Sequence, residues 1–298
     1  MKNKKNIFII FLLITFSISI IKYNSLKHIN KNDIDVYKYI DYADKISENK
    51  VQLNWKYIVA IIGVQNSNNF KDVSQIQIET VSKLFLNKSN NIYKLNTLKE
   101  VISKLELNTN ETKKIYRYIY DLKSYGLVPN RLNDNTEYMH FINEIKESSL
   151  INYKKYKILP SITIAQAILE SNWGKSRLAK DFNNLFGIKA DKYWTGEYVT
   201  LETSEYSNTI INDKFRKYNN KNESLRDHAK FLSENERYKN NGVFNANTYI
   251  YQARALQSAG YSTIENDKGE KIYADMLINI IRQYNLQLID SEVQSLKL

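Results

Sequence analysis

Cysteine is absent from the chain, and proline (2) and glycine (8) are scarce in its 298 residues. The first absence excludes a disulfide framework, a cysteine-ligated zinc site and a lipid-modified lipoprotein cysteine. The shortage of turn formers argues against a sandwich or barrel and favours helices. Histidine is rare too: His28, His140 and His228 stand far apart without metal-ligand spacing, so no metal site is expected. Negative charge is in deficit, with 32 Asp and Glu against 43 Lys and Arg, a formal net charge of +11. Such a surface attracts anionic partners, among them nucleic acid, membrane head groups or an acidic wall polymer.

The beginning of the chain narrows that choice. Lys2, Lys4 and Lys5 precede "IFIIFLLITFSISII", fifteen residues without a charge, and Lys22 follows. A basic segment followed by an apolar run fits an export signal. Ser17 and Ser19 supply no A-x-A cleavage pattern, so residues 1–22 are expected to be an uncleaved signal anchor at the cell membrane. The alternative is a signal peptide removed on secretion. Either way the bulk of the chain works outside the cytoplasm, and nucleic acid is not expected as a partner.

Residues 23–45 are polar and predict a juxtamembrane tether leading into a first helix. Over 46–148 apolar residues recur at steps of three and four (Trp55, Val59, Ile62; Ile78, Val81, Phe85; Leu95, Leu98, Ile102, Leu105; Ile115, Ile119, Leu122), which predicts a small helical bundle. It shows no catalytic constellation, and docking of a membrane-protein partner is one role open to it. From about 150 a second region begins, with Pro160 and Ser161 as helix-start signals and Gly174 as a stop. "EYVTLETSEY" at 197–206 switches to strand rhythm, with Val199, Leu201, Thr203 and Glu205 on one face, and pairs with "IINDKFRKY" across a short polar turn. Helical patterns then resume to the end, so the fold class is mainly α with one small β-hairpin lobe.

The chemistry is carried by "QAILESNWG" at 166–174. Gln166, Glu170 and Trp173 share one side of a helix, because steps of four and three nearly complete whole turns. A carboxyl at the end of a buried helix beside an aromatic ring is partly dehydrated; its neutral form is favoured and it can donate a proton near neutral pH. Protonating a glycosidic leaving oxygen is one such task.

Further blocks follow in order: "NNLFGIKA", Trp194 and Gly196, "TSEY", "FRKY", "ESLRDHAKFL", Arg237 and Tyr238, "ALQSAGYST" and "YADMLINIIRQYNL". Together with "LPSITIAQAILESNWGKSRLA" they resemble the glucosaminidase family of peptidoglycan hydrolases over about 150–290. The resemblance implies a lysozyme-like domain with a hairpin lobe beside a glycan cleft. It also implies endo-cleavage of the β-1,4 bond after N-acetylglucosamine in peptidoglycan strands by water, without a cofactor. Glu170 falls on the family's acid position and Glu205, in "TSEY", on that of the second carboxylate. Glu202 and Glu197 are nearby rivals, and strand parity turns Glu202 to the other face. Whether Glu205 activates water or assists attack by the substrate's own N-acetyl oxygen stays open. Gln166, Asn184, Phe186, Trp194, Tyr206, Tyr261 and Tyr273 are the expected sugar-binding residues, and His228 is expected to be structural. Asn172 stands where the family usually carries glycine. A muramidase or lytic transglycosylase on the same fold, or a noncatalytic wall-binding scaffold, are the competing readings; anionic wall polymer is a possible second partner.

Overall fold

The computed structural model describes residues 28–205 and 209–296, and of 203–205 and 209–211 the backbone alone. The expected anchor over 1–22 and Tyr206 therefore lie outside the described residues. Among those described, no helix is long and apolar enough to cross a membrane. The described chain is mainly helical with two antiparallel hairpins. It divides into two compact units: the described residues up to Ile46 with Leu53–Tyr125, and Ser47–Gln52 with the residues from Gly126 onward.

The first unit contains α1 (Val36–Ser47), α2 (Trp55–Gln65), α3 (Gln75–Lys83), β1 (Leu86–Ser89), β2 (Ile92–Leu95), α4 (Leu98–Lys104) and α5 (Thr109–Asp121). Two expectations change here. The stretch read as a tether is helical in α1, because Val36, Tyr39, Ile40 and Ala43 are spaced to bury one face. The bundle also holds a hairpin: Asn90 and Asn91 both have positive φ (48° and 62°), the turn chemistry that closes a two-residue hairpin. Helix α2 carries more than a stripe, since Trp55 and every residue from Ile58 to Ile62 are fully buried, which makes it the central helix of this unit.

The second unit contains α6 (Glu137–Tyr156), α7 (Pro160–Ser171), α8 (Arg177–Phe182), β3 (Tyr198–Glu205), β4 (Thr209–Arg216), α9 (Lys221–Glu234), α10 (Glu236–Asn240), α11 (Tyr249–Ser258), α12 (Tyr273–Gln283) and α13 (Gln287–Ser295). The first region is expected to run to 148, but Phe141, Ile142 and Ile145 on α6 enter the second core. The break falls instead at the "SYGLVPN" turn, where glycine and proline interrupt helical periodicity. Helix α7 is the axis, packed by α6, α11, α12 and α13. The hairpin β3/β4 pairs antiparallel from Tyr198 with Arg216 to Glu205 with Thr209, within a residue or two of its expected limits.

Candidate active site

Helix α7 is buried from Pro160 to Ile168, and Glu170 is the residue that emerges at its end. Its start is unusual. Leu159 at the N-cap position has no side chain that can cap, and Pro160 fits the first turn because its missing N–H needs no partner. The cap comes from a distant element: Asp290 on α13 accepts the Ser161 N–H at 2.9 Å and pairs with the Ser161 hydroxyl at 2.5 Å. Gln252 on α11 accepts the Leu159 N–H at 2.7 Å.

The helix stops through three successive left-handed residues, Asn172 (φ 49°), Trp173 (φ 62°) and Gly174 (φ 72°). Asparagine tolerates this region better than other side chains, which is why it can replace the usual glycine at 172. The turn is tied by Trp173 N–H to the Ile168 carbonyl at 3.1 Å and by Gly174 N–H to the Ser171 hydroxyl at 2.7 Å. The Trp173 ring enters a cluster with Tyr138, Phe141 and Tyr284, at centroid distances of 4.8, 6.0 and 4.7 Å. So the aromatic hydrogen-bonded to the Glu170 carboxyl is Tyr273, where the sequence had pointed to Trp173. A methyl group at Gly174 would lie 2.8 Å from Phe141 Cε2 at a positive φ. Gly174→Ala is expected to destabilise the domain by about 1–3 kcal/mol, read by urea denaturation.

Tyr273, the first residue of α12, donates its hydroxyl proton to Glu170 Oε1 at 2.9 Å and accepts from Gln166 Nε2 at 3.0 Å. Crowding by protein atoms raises the Glu170 pKa above the usual carboxylate range, and the Tyr273 hydrogen bond opposes it in part. The residue nonetheless keeps an exposed edge, on an open cleft of about 280 Å³ that it shares with Arg177, Asn184, Leu201, Glu202 and Phe215.

The other expected residues separate into distinct places. Gln166 and Tyr273 are buried, and Tyr261 stacks on Tyr273 with centroids 5.2 Å apart, so these three lie on the protein side of the Glu170 carboxyl. Asn184 borders the cleft, but its amide is occupied, donating to the Ile188 and Arg216 carbonyls at 3.0 and 2.8 Å and accepting the Ile188 N–H at 3.0 Å. It braces the FGIK turn against β4 and offers no free group to an N-acetyl oxygen. Phe186 is buried, stacked on His228 at 3.8 Å, and so it is packing in place of a sugar platform. Trp194 lines a different depression, with Arg216 4.4 Å above its ring and its N–H on the Glu197 carbonyl at 2.9 Å. Backbone register places Glu205 at the far end of β3, opposite Thr209.

Two further residues border the cleft: Glu202, the rival ranked below Glu205, and Arg177, which sequence reasoning passed over. Strand parity turned Glu202 away from Leu201, yet both border the cleft. Two-stranded ribbons twist strongly, so successive residues can reach the same hollow. Arg177 opens α8 behind the Ser176 cap, and no pattern in the sequence set it apart. Among the described residues no group of three or more His, Asp or Glu could hold a metal ion.

Residues 146–286 match the family profile described as glucosaminidase, mannosyl-glycoprotein endo-beta-N-acetylglucosaminidase. Over 163 residues the chain is 42% identical to the exo-glucosaminidase LytG of Bacillus subtilis, an overlap of 53% of this chain and 55% of that protein. It is 33% identical over 146 residues to the peptidoglycan hydrolase FlgJ of Vibrio parahaemolyticus, covering 47% of this chain and 45% of that one. The catalytic domain of the Listeria monocytogenes autolysin Auto superposes with a TM-score of 0.46 at 39% identity, covering 53% of this chain and 90% of that domain. The chain thus spans about half the length of the curated relatives it matches. Through the unit built around α7, the chain belongs to the glucosaminidase family of peptidoglycan hydrolases.

Proposed function

We propose that this protein is an endo-β-N-acetylglucosaminidase that hydrolyses the β-1,4 bond after N-acetylglucosamine in peptidoglycan strands, with Glu170 as the general acid. The observation that carries this reading is the Glu170 carboxyl, at the end of a buried helix, with a raised pKa, held by Tyr273 and open to a cleft beside the hairpin lobe. A carboxyl in that state remains protonated closer to neutrality and can hand its proton to a leaving glycosidic oxygen. The arrangement is lysozyme-like in its logic: a rigid helix presents the acid and a two-stranded lobe brings the answering groups. Glu205 is the proposed second carboxylate, on the strength of its "TSEY" motif, with Tyr206 beside it in sequence. Glu202 and Arg177 line the cleft as charged sites for the sugar and its substituents. A wall substrate agrees with the uncharged run over 7–21, read as a membrane anchor that leaves the domain outside the cytoplasm, and with the net charge of +11.

Mass spectrometry of purified peptidoglycan digested by the full chain tests the bond that is cut. Products ending in reducing N-acetylglucosamine are expected, and anhydro-muramyl or reducing muramyl ends would overturn the assignment. The match to a protein named as an exo-glucosaminidase supports a second reading, cleavage from strand ends. The size course separates the two: endo cleavage shortens strands from the first minutes, whereas end-on cleavage releases small fragments from strands that shorten only gradually.

A further inference from the structure

Arg177 is the only cation among the described residues that line the Glu170 cleft, and Glu202, on β3, carries the opposing charge there. Its backbone is fixed close to the acid. From the end of α7 the chain turns through Asn172, Trp173 and Gly174, the Ser176 N–H reaches back to the Ser171 carbonyl at 2.9 Å, and the Ser176 hydroxyl caps α8. Arg177 thus reaches the cleft edge only seven residues after Glu170, on a segment tied at both ends. Its side chain, by contrast, is not committed to the fold. It is 73% exposed, and its ion pair with Asp181, one turn further along α8, stands at 4.0 Å between two exposed groups. A pair of that kind contributes little and yields to a better partner. The better partner is a carboxylate free to meet the planar guanidinium in line, where it accepts two parallel N–H bonds that a 4.0 Å contact within one helix does not make.

A peptidoglycan strand supplies such a group on either side of the cut. N-acetylglucosamine alternates with N-acetylmuramic acid, and only the second sugar carries a lactyl ether with a carboxyl group. When the bond broken is the one after N-acetylglucosamine, that glucosamine unit has a muramic acid on both sides. Whichever way the strand lies along the cleft, a residue beside the reaction centre therefore meets a muramyl unit. The lactyl carboxylate is free where the peptide stem has been removed; where the stem remains, it is tied up as an amide, and the nearest carboxylates are those of the stem. An anion there is drawn to Arg177 and repelled from Glu202, so the two charges also orient the substituent in the cleft.

We propose that Arg177 is a specificity residue of the cleft that binds the carboxylate carried by a muramyl unit next to the scissile bond. The inference rests on the reading of the cut bond as the one after N-acetylglucosamine. The contact is made in the bound ground state and persists as the bond breaks, so it belongs to KM and leaves proton transfer from Glu170 untouched.

Steady-state kinetics with the full chain tests it on soluble strands that are either denuded or stem-bearing, each also prepared with its carboxylates converted to neutral N-methyl amides. Arg177→Gln is expected to raise KM about tenfold on an untreated strand, with kcat changed less than about twofold. Wild type on the amidated strand should show the same rise, and Arg177→Gln on that strand no more, since both changes remove one contact. A rise on denuded strands identifies the lactyl carboxylate and a rise on stem-bearing strands a stem carboxylate; either supports the proposal. Arg177→Lys, which keeps the charge without the fork, should fall between. Asp181→Asn separates this role from the surface ion pair: it should leave KM at or below the wild-type value, whereas a purely structural pair would make the two substitutions equivalent. An Arg177→Gln protein with wild-type KM on both untreated strands overturns the proposal, as does a variant whose KM exceeds that of wild type as much on amidated strands as on untreated ones. Products ending in reducing muramic acid would take away the flanking muramyl units, and this inference would fall with the reading of the bond. Products ending in reducing N-acetylglucosamine beside an unaltered Arg177→Gln would remove this inference alone.

Discussion

Glu170→Gln is expected to lower the rate of glycan cleavage by about 10²- to 10⁴-fold, the range supplied by a positioned general acid. The amide cannot protonate the leaving oxygen, while its carbonyl can still accept the Tyr273 hydroxyl that now meets Oε1. Shape, cleft and substrate affinity should therefore survive, so the loss falls on kcat and KM changes little. Stability should hold or rise. Because the carboxyl pKa is raised in the folded state, folding favours the protonated acid: its contribution is fully present below the unfolded pKa and is lost as pH rises through the folded one. A neutral amide removes that loss at neutral pH. The same direction predicts that wild-type activity falls on the alkaline side as the acid ionises. Release of reducing ends from purified peptidoglycan, paired with a melting curve, reads both effects. A variant as active as wild type would remove Glu170 from the mechanism and return the noncatalytic scaffold to consideration.

Much of this site was legible because its parts are local. The run from Ile162 to Leu169 carries no charge and only two polar side chains, Thr163 and Gln166, so a carboxylate closing it stands at an exit from the core. The strand rhythm of 197–206 and the helical period after Tyr273 were equally readable, since residues two apart or three and four apart decide them. What failed to show is set by long-range packing. Trp173 is three residues from Glu170, but three left-handed residues send its ring to Tyr138, Phe141 and Tyr284. Asn184 has the right amide for a sugar, yet the approach of β4 consumes it. Parity assumes a flat strand, and the twist of a two-stranded lobe brought Glu202 to the cleft beside Leu201. In the first unit the apolar spacing of Leu95, Leu98 and Ile102 masked a hairpin whose signal was the pair Asn90 and Asn91. His228, read as structural, is buried and stacked on Phe186, and its hydrogen-bond partner Tyr261, 33 residues away, is what the local sequence could not name.

The N-terminus of α7 carries the second large effect. Asp290→Ala is expected to destabilise the second unit by roughly 3–5 kcal/mol, combining a lost helix cap with two buried donors left unpaired on Ser161. No neighbour in sequence can compensate, since Leu159 has no capping group. The residue also sets a pH dependence whose sign can be worked out. Burial lifts its pKa from 3.8 to about 7, against the pull of the two Ser161 hydrogen bonds. Between those values the folded chain holds a proton that the unfolded chain has released. The stabilising contribution is therefore complete below about pH 4 and is lost as pH rises through 7, by at most about 4 kcal/mol. Asp290→Asn separates the cap from the charge: its carbonyl still accepts the Ser161 N–H and its amide can donate to the Ser161 hydroxyl, with nothing to ionise. Urea denaturation at about pH 5 and 8 should find wild type losing stability between the two, Asp290→Asn losing less, and Asp290→Ala weakest at pH 5. An alanine variant as stable as wild type at pH 5 would mean that α7 needs no cap from α13. An asparagine variant with the full wild-type slope would place the titrating group elsewhere. Because α7 delivers Glu170 from its other end, fraying at Ser161 should also lower activity before the domain unfolds, which a rate measurement below the melting transition would register.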